Sequence, residues 1–218
     1  LKLVDFKRPV AVLPNLAIHL NRAMNDGVAL NAQTDLLPIC GMDEHMDTDT
    51  FLQILANETG EKPEDILCFD LSVYHYAEPV RTGFSGDMFM APRIDNISSV
   101  QACLTGLIEA NPSDGISVAV LFDHEEIGSR SKNGANGNLL SYTLERICNA
   151  INISRENFLQ SLVHSYYLSL DVAHAIHPAH PEKSDITSAM PLNRGFAIKA
   201  SAKHAYCSDD DMTGVILQ

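Results

Sequence analysis

Apolar and polar positions follow one pattern up to about residue 84 and another beyond it. Residues 1 to about 40 are short β-like runs broken by Pro and Asn. Val10-Ala11-Val12-Leu13 lies between Pro9 and Pro14. Segment 41–65 is polar and acidic, with Phe51, Ile54 and Leu55 at helical spacing. Thr50 or Asp49 can cap that helix, and Gly60 with Pro63 stops it. From Ile66 to Tyr76 the alternation Leu67, Phe69, Leu71, Val73 predicts a half-buried strand. Pro79, Gly83, Ser85 and Gly86 then mark a loop.

After that loop, predicted strands alternate with predicted helices. Met88–Ala91 is a short run expected to be buried. Asn96 can cap a helix whose apolar face is Ile97, Val100, Leu104, Leu107 and Ile108, ending at Asn111-Pro112. Ile116–Phe122 is a continuous Val/Leu/Ile run suited to a parallel strand covered on both faces. Helices are expected over about 138–149 and, capped by Ser154, over 155–163. Apolar strands are expected at Tyr166–Leu170 and Phe196–Ile198, and a last helix is expected after Ser208 and Asp209. The chain thus divides into a β-rich part, 1–84, and an α/β part, 85–218.

Composition narrows the function. With 15 Lys+Arg against 28 Asp+Glu, the formal charge is −13, and no basic run offsets it. Nucleic acid and anionic membrane are therefore poor partners. No apolar stretch has the length of a spanning helix. Five scattered cysteines (Cys40, Cys68, Cys103, Cys148, Cys207) without a C-x-x-C argue for free thiols in a reducing compartment, hence a cytoplasmic location. Leu1–Phe6 is neither a Met start nor a signal peptide and reads as the middle of a strand, so a longer parent is expected.

The chemistry gathers where the apolar strands of the second part end. Met88–Ala91 leads to Arg93-Ile94-Asp95-Asn96, Val118–Phe122 to Asp123-His124-Glu125-Glu126, and Tyr166–Leu170 to Asp171, with His174 and His177 beyond. Open α/β sheets bind ligands outside these carboxyl ends. Acidic clusters converging there repel one another unless a cation intervenes. Carboxylates and imidazoles without thiolates suit a hydrolytic Zn²⁺ or Mn²⁺ site. Asp95, Glu126 and Asp171 can be ligands, and Glu125, beside a ligand but projecting differently, can be the acid/base.

Blander roles compete. Asp95-Asn96 can be only a helix cap, Glu125-Glu126 a solvated pair, and Asp171 a lone carboxylate after a strand. His174 and His177 can face the site or satisfy local backbone groups. His45, His75, His164 and His204 read as local. Asp209-Asp210-Asp211 reads as a cap with first-turn charge rather than a calcium site. The loop of Gly134, Asn136 and Gly137 lacks the lysine and spacing of a phosphate loop.

At these residues the sequence resembles the aspartyl aminopeptidase and aminopeptidase I family of two-metal peptidases. The matching stretches are Pro14–Arg22, Ala91–Asn96, Asp123–Ser129, Asp171–Pro178 and Ile198-Lys199, in family order across nearly the whole chain. The resemblance implies a three-layer α/β metallopeptidase domain with a β-rich insertion that makes dimer contacts. It implies two zinc ions (Mn or Co being possible substitutes), with Asp95 bridging and Glu126 and Asp171 completing one ion each. Glu125 is implied as general base toward a bridging water. His19 is implied to reach a neighbouring subunit's site, and Lys199 matches a lysine near the substrate.

The implied activity is removal of N-terminal, acidic residues from peptides, within a dimer-based tetrahedral dodecamer. Because the overall charge repels acidic peptides, any such preference must come from local cations such as Lys199 and Arg93. Two further histidine ligands of the family have no counterpart context here, and its His-Pro-Asn is His177-Pro178-Ala179. The chain alone is therefore expected to be incomplete. A catalytically incomplete assembly module is the alternative. A deacylase of the same superfamily is a third reading, disfavoured by the segment around His19.

Overall fold

Asp47 starts the first long helix, and it does so two residues ahead of the earlier of the two expected caps. In the computed structural model, which describes every residue of 1–218 except Ser113, His204 and Cys207, helix α1 runs Thr48–Thr59. The Asp47 carboxylate accepts hydrogen bonds from the Thr50 N–H and hydroxyl, both at 2.8 Å, and these hold its pKa below the ordinary carboxylate value. Gly60 ends α1 in the left-handed conformation (φ 70°) open to glycine, as the sequence predicts. Leu55 and Ala56 are buried beneath α1, and the Phe51 and Phe69 rings meet edge to face at 5.6 Å. Asp49 and Thr50 lie inside the helix.

The expected loop 79–86 is a hairpin. Strands β1 (Val80–Thr82) and β2 (Met88–Met90) pair antiparallel with Val80 opposite Met90. Met88–Met90 therefore forms a strand, but an exposed one rather than the buried run expected. The two strands have only each other as hydrogen-bonding neighbours among the described residues. Along residues 1–40 the β-like runs contribute one bridge, Val12 to Ile39.

The chain splits into two units, Leu1–Pro92 and Arg93–Gln218. The second carries α2 (Ile94–Glu109), α3 (Leu139–Ala150), α4 (Arg155–Val163) and α5 (Asp210–Ile216). Helices α3 and α4 pack together over buried Phe158 and share the Arg155–Glu145 ion pair at 3.1 Å. Ser154 caps α4 through the Asn157 N–H, as expected. Asp209 caps α5 through the Met212 N–H at 2.7 Å, with Asp210 and Asp211 in the first turn. His204 and Cys207 lie outside the described residues; Cys40, Cys68, Cys103 and Cys148 are free thiols.

The strands expected at 66–76, 116–122, 166–170 and 196–198 form no ladder among the described residues. The sequence supplies their apolar character, but a strand needs a neighbour's N–H and C=O groups. Val118 and Leu121 accordingly stay 46% and 53% exposed. No described helix is long and apolar enough to cross a membrane.

Candidate metal and catalytic site

The head of α2 is irregular. Arg93 sits in the left-handed region (φ 58°), and Asp95 and Asn96 depart from helical angles across a cis peptide bond. Asn96 does not cap the helix as expected. Its side-chain Nδ2 instead donates to the Leu170 carbonyl at 3.2 Å, tying the Asp95-Asn96 segment to the end of the 166–170 run.

Asp171 follows directly. Its Oδ1 accepts the Val172 N–H at 2.7 Å, and its Oδ2 accepts from the Lys199 ammonium at 2.7 Å. The same ammonium donates to the Val172 carbonyl at 3.3 Å and lies 5.6 Å from the centre of the Tyr206 ring. Ser208 donates to the Lys199 carbonyl at 2.8 Å. The Lys199 bond, opposed by partial burial, holds Asp171 below the ordinary carboxylate value. Asp171 in turn raises Lys199, and the charge of Asp95 adds to that rise. Asp95, Asp171 and Lys199 thus share one electrostatic neighbourhood.

Glu125 and Glu126 project, exposed, from a tightly folded loop. His124 adopts a left-handed φ of 62°, and its carbonyl accepts the Ser129 N–H at 2.9 Å. The Glu125 carbonyl accepts the Gly128 N–H at 2.8 Å, and Gly128 takes φ 92°. The His124 ring lies between Ser131 Oγ, 2.5 Å from Nδ1, and Asp123 Oδ2, 3.5 Å from Nε2.

His174 and His177 are exposed; His177 Nδ1 accepts the Ala179 N–H at 3.1 Å and its ring lies beside His180. His19 lies on an exposed turn of the first unit, and Arg93 is exposed at the head of α2. By donor chemistry, Asp95, Glu126 and Asp171 suit zinc. Among the described residues, however, no three His, Cys, Asp or Glu side chains converge to hold an ion. The Asp171–Lys199 pairing, the Asn96–Leu170 tie and the Ser131–His124 contact are absent from the sequence reading.

The family model for aminopeptidase I zinc metalloproteases (M18) matches residues 1–218. The chain belongs to the M18 family. A probable M18 family aminopeptidase 2 of Clostridium novyi (strain NT) is 41% identical over 216 residues, covering 98% of the chain and 50% of the relative. A probable M18 family aminopeptidase 2 of Pseudomonas fluorescens (strain SBW25) is 38% identical, covering 98% and 49%. The chain spans about half the length of the M18 relatives it matches. Among solved structures, the complex of Ape4 and Nbr1 matches at TM-score 0.78 and 29% identity, covering 98% of this chain and 45% of that one. Yeast aminopeptidase 1 matches at TM-score 0.66 and 25% identity, covering 86% and 43%. These M18 neighbours accord with an α/β peptidase domain.

Proposed function

We propose that the protein carrying this chain is a zinc aminopeptidase that hydrolyses N-terminal, acidic residues from peptides. The observation that carries the reading is the shared neighbourhood of Asp95, Asp171 and Lys199, at the ends of two of the apolar runs, in a chain matched by the M18 model over its full length. Asp95, Glu126 and Asp171 would hold two zinc ions. Bound zinc would polarise the scissile carbonyl and make water acidic enough to attack at neutral pH. Glu125 takes the proton from the attacking water and passes it to the leaving amine. Lys199 and Arg93 supply the cations for an acidic N-terminal residue against the −13 background. His174 and His177, a few residues beyond Asp171 in the chain, would contact the bound peptide.

The same reading makes 1–84 a β-rich insertion that mediates dimer contacts and carries His19 toward a neighbouring subunit, in a dodecamer built from dimers. The free thiols favour a cytoplasmic location. A second reading, a catalytically incomplete assembly module, draws on one observation: no three described donors converge.

The test is zinc content, with hydrolysis of Asp-, Glu- and Leu-anilides, by this chain and by any longer polypeptide containing it. Zinc with Asp or Glu release supports the first reading. Metal-free, inactive protein in every form supports the second and overturns the first.

A further inference from the structure

The loop carrying Glu125 and Glu126 is cross-braced at both ends. Asp123 N–H donates to the Asn133 carbonyl at 3.3 Å, and Asn136 N–H donates to the Ser129 carbonyl at 3.1 Å. Gly134 is buried against Ser129, and a Cβ there would stand 2.2 Å from the Ser129 carbonyl oxygen. Between these braces the backbone makes two turns that few residues accept: left-handed His124 immediately before Glu125, and left-handed Ser129 (φ 59°). A non-glycine residue in that region costs free energy unless its surroundings hold it there.

The side chain of His124 supplies the hold. Its Nδ1 lies 2.5 Å from the Ser131 hydroxyl oxygen, a hydrogen bond whichever partner donates, and the Asp123 Oδ2 stands 3.5 Å from Nε2 on the other side of the ring. The Asp123 Oδ1 also accepts the His124 N–H at 2.8 Å, so both the backbone and the ring of His124 are oriented. We propose that Ser131 is a positioning residue: through His124 it sets the direction in which Glu125 and Glu126 project. Ser131 touches neither substrate nor ion. This inference rests on the roles given above to Glu125 and Glu126.

The test compares the native chain with Ser131→Ala and Ser131→Thr by three measurements. The ¹⁵N resonance of His124 Nδ1 shifts in Ser131→Ala relative to the native chain, as loss of its hydroxyl partner requires. Exchange of the Ser129 amide, which donates to the His124 carbonyl, quickens about tenfold in Ser131→Ala, the equivalent of one net hydrogen bond. Zinc affinity falls roughly 10- to 100-fold, the usual cost of losing an outer orienting contact. Ser131→Thr, which keeps the hydroxyl, restores all three.

Unchanged His124 shifts and Ser129 exchange in Ser131→Ala overturn the proposal. Zinc affinity equal to that of a zinc-binding native chain overturns it as well. If the native chain binds no zinc, the ligand role of Glu126 in this chain fails, while altered exchange rescued by Thr still supports the Ser131–His124 hold.

Discussion

The Lys199 ammonium and the Asp171 carboxylate stand 2.7 Å apart, with Asp171 just beyond the 166–170 run. An internal cation thus neutralises one of the carboxylates proposed as a zinc ligand. Lys199→Met removes it, and the Asp171 carboxyl pKa rises toward its ordinary value, read from the pH titration of its side-chain ¹³C signal. No rise would show that the two side chains do not pair in solution.

The sign of the pH dependence follows from both shifts. Asp171 is depressed, so its contribution to stability is present above the ordinary carboxylate pKa and is lost as pH falls through the lower folded value. Lys199 is raised, so its contribution is present below the ordinary lysine pKa and is lost as pH rises through the higher folded value. The pair is half exposed, which keeps the effect small. Native chain and Lys199→Met should therefore differ most in urea midpoint between these limits and converge in acid.

Helix α1 gives a second acid-side signal. The Asp47 cap is strongest while its carboxylate is ionised and accepts charge-assisted bonds from Thr50, and its lowered pKa keeps it so into the acid range. Below that value the cap weakens to a neutral hydrogen bond, read from the Thr50 amide shift. Asp47→Asn, whose amide oxygen still accepts, should remove that pH dependence.

Gly134 offers a steric test of the loop. Alanine there places a Cβ 2.2 Å from the Ser129 carbonyl oxygen, a backbone atom that no side-chain rotation relieves. Gly134→Ala should cost about 1–3 kcal/mol by overpacking and abolish protection of the Asn136 amide. A native-like exchange pattern would contradict this arrangement of residues 123–137.

Apolar exposure makes a prediction of its own. Phe84, Phe89 and Met90 are all more than half exposed, as are Leu121, Tyr166 and Leu168. The chain should bind an anilinonaphthalene dye with strong fluorescence enhancement, as uncovered apolar surface does. Absent enhancement would mean these residues are covered in solution.

Local signals were the legible part of the fold. Helices α1 to α5 announced themselves by apolar spacing and by caps such as Ser154 and Asp209, because a helix satisfies its backbone within one segment. The runs at 116–122 and 166–170 are equally apolar, yet apolarity says nothing of which chain supplies the neighbouring ladder. Asn96 illustrates the limit at the site. Its type and place suit a cap, and only the tertiary structure directs its amide to Leu170. Likewise Asp171 and Lys199 were singled out for separate roles, while their pairing across 28 residues left no mark in either segment.

The central claim turns on Glu125. In the zinc-loaded protein carrying this chain, Glu125→Gln should retain bound zinc while hydrolysis of N-terminal Asp- or Glu-anilide falls about 10²- to 10⁴-fold, since the amide cannot take the water's proton. Hydrolysis at the native rate by Glu125→Gln, with zinc bound, would contradict the account.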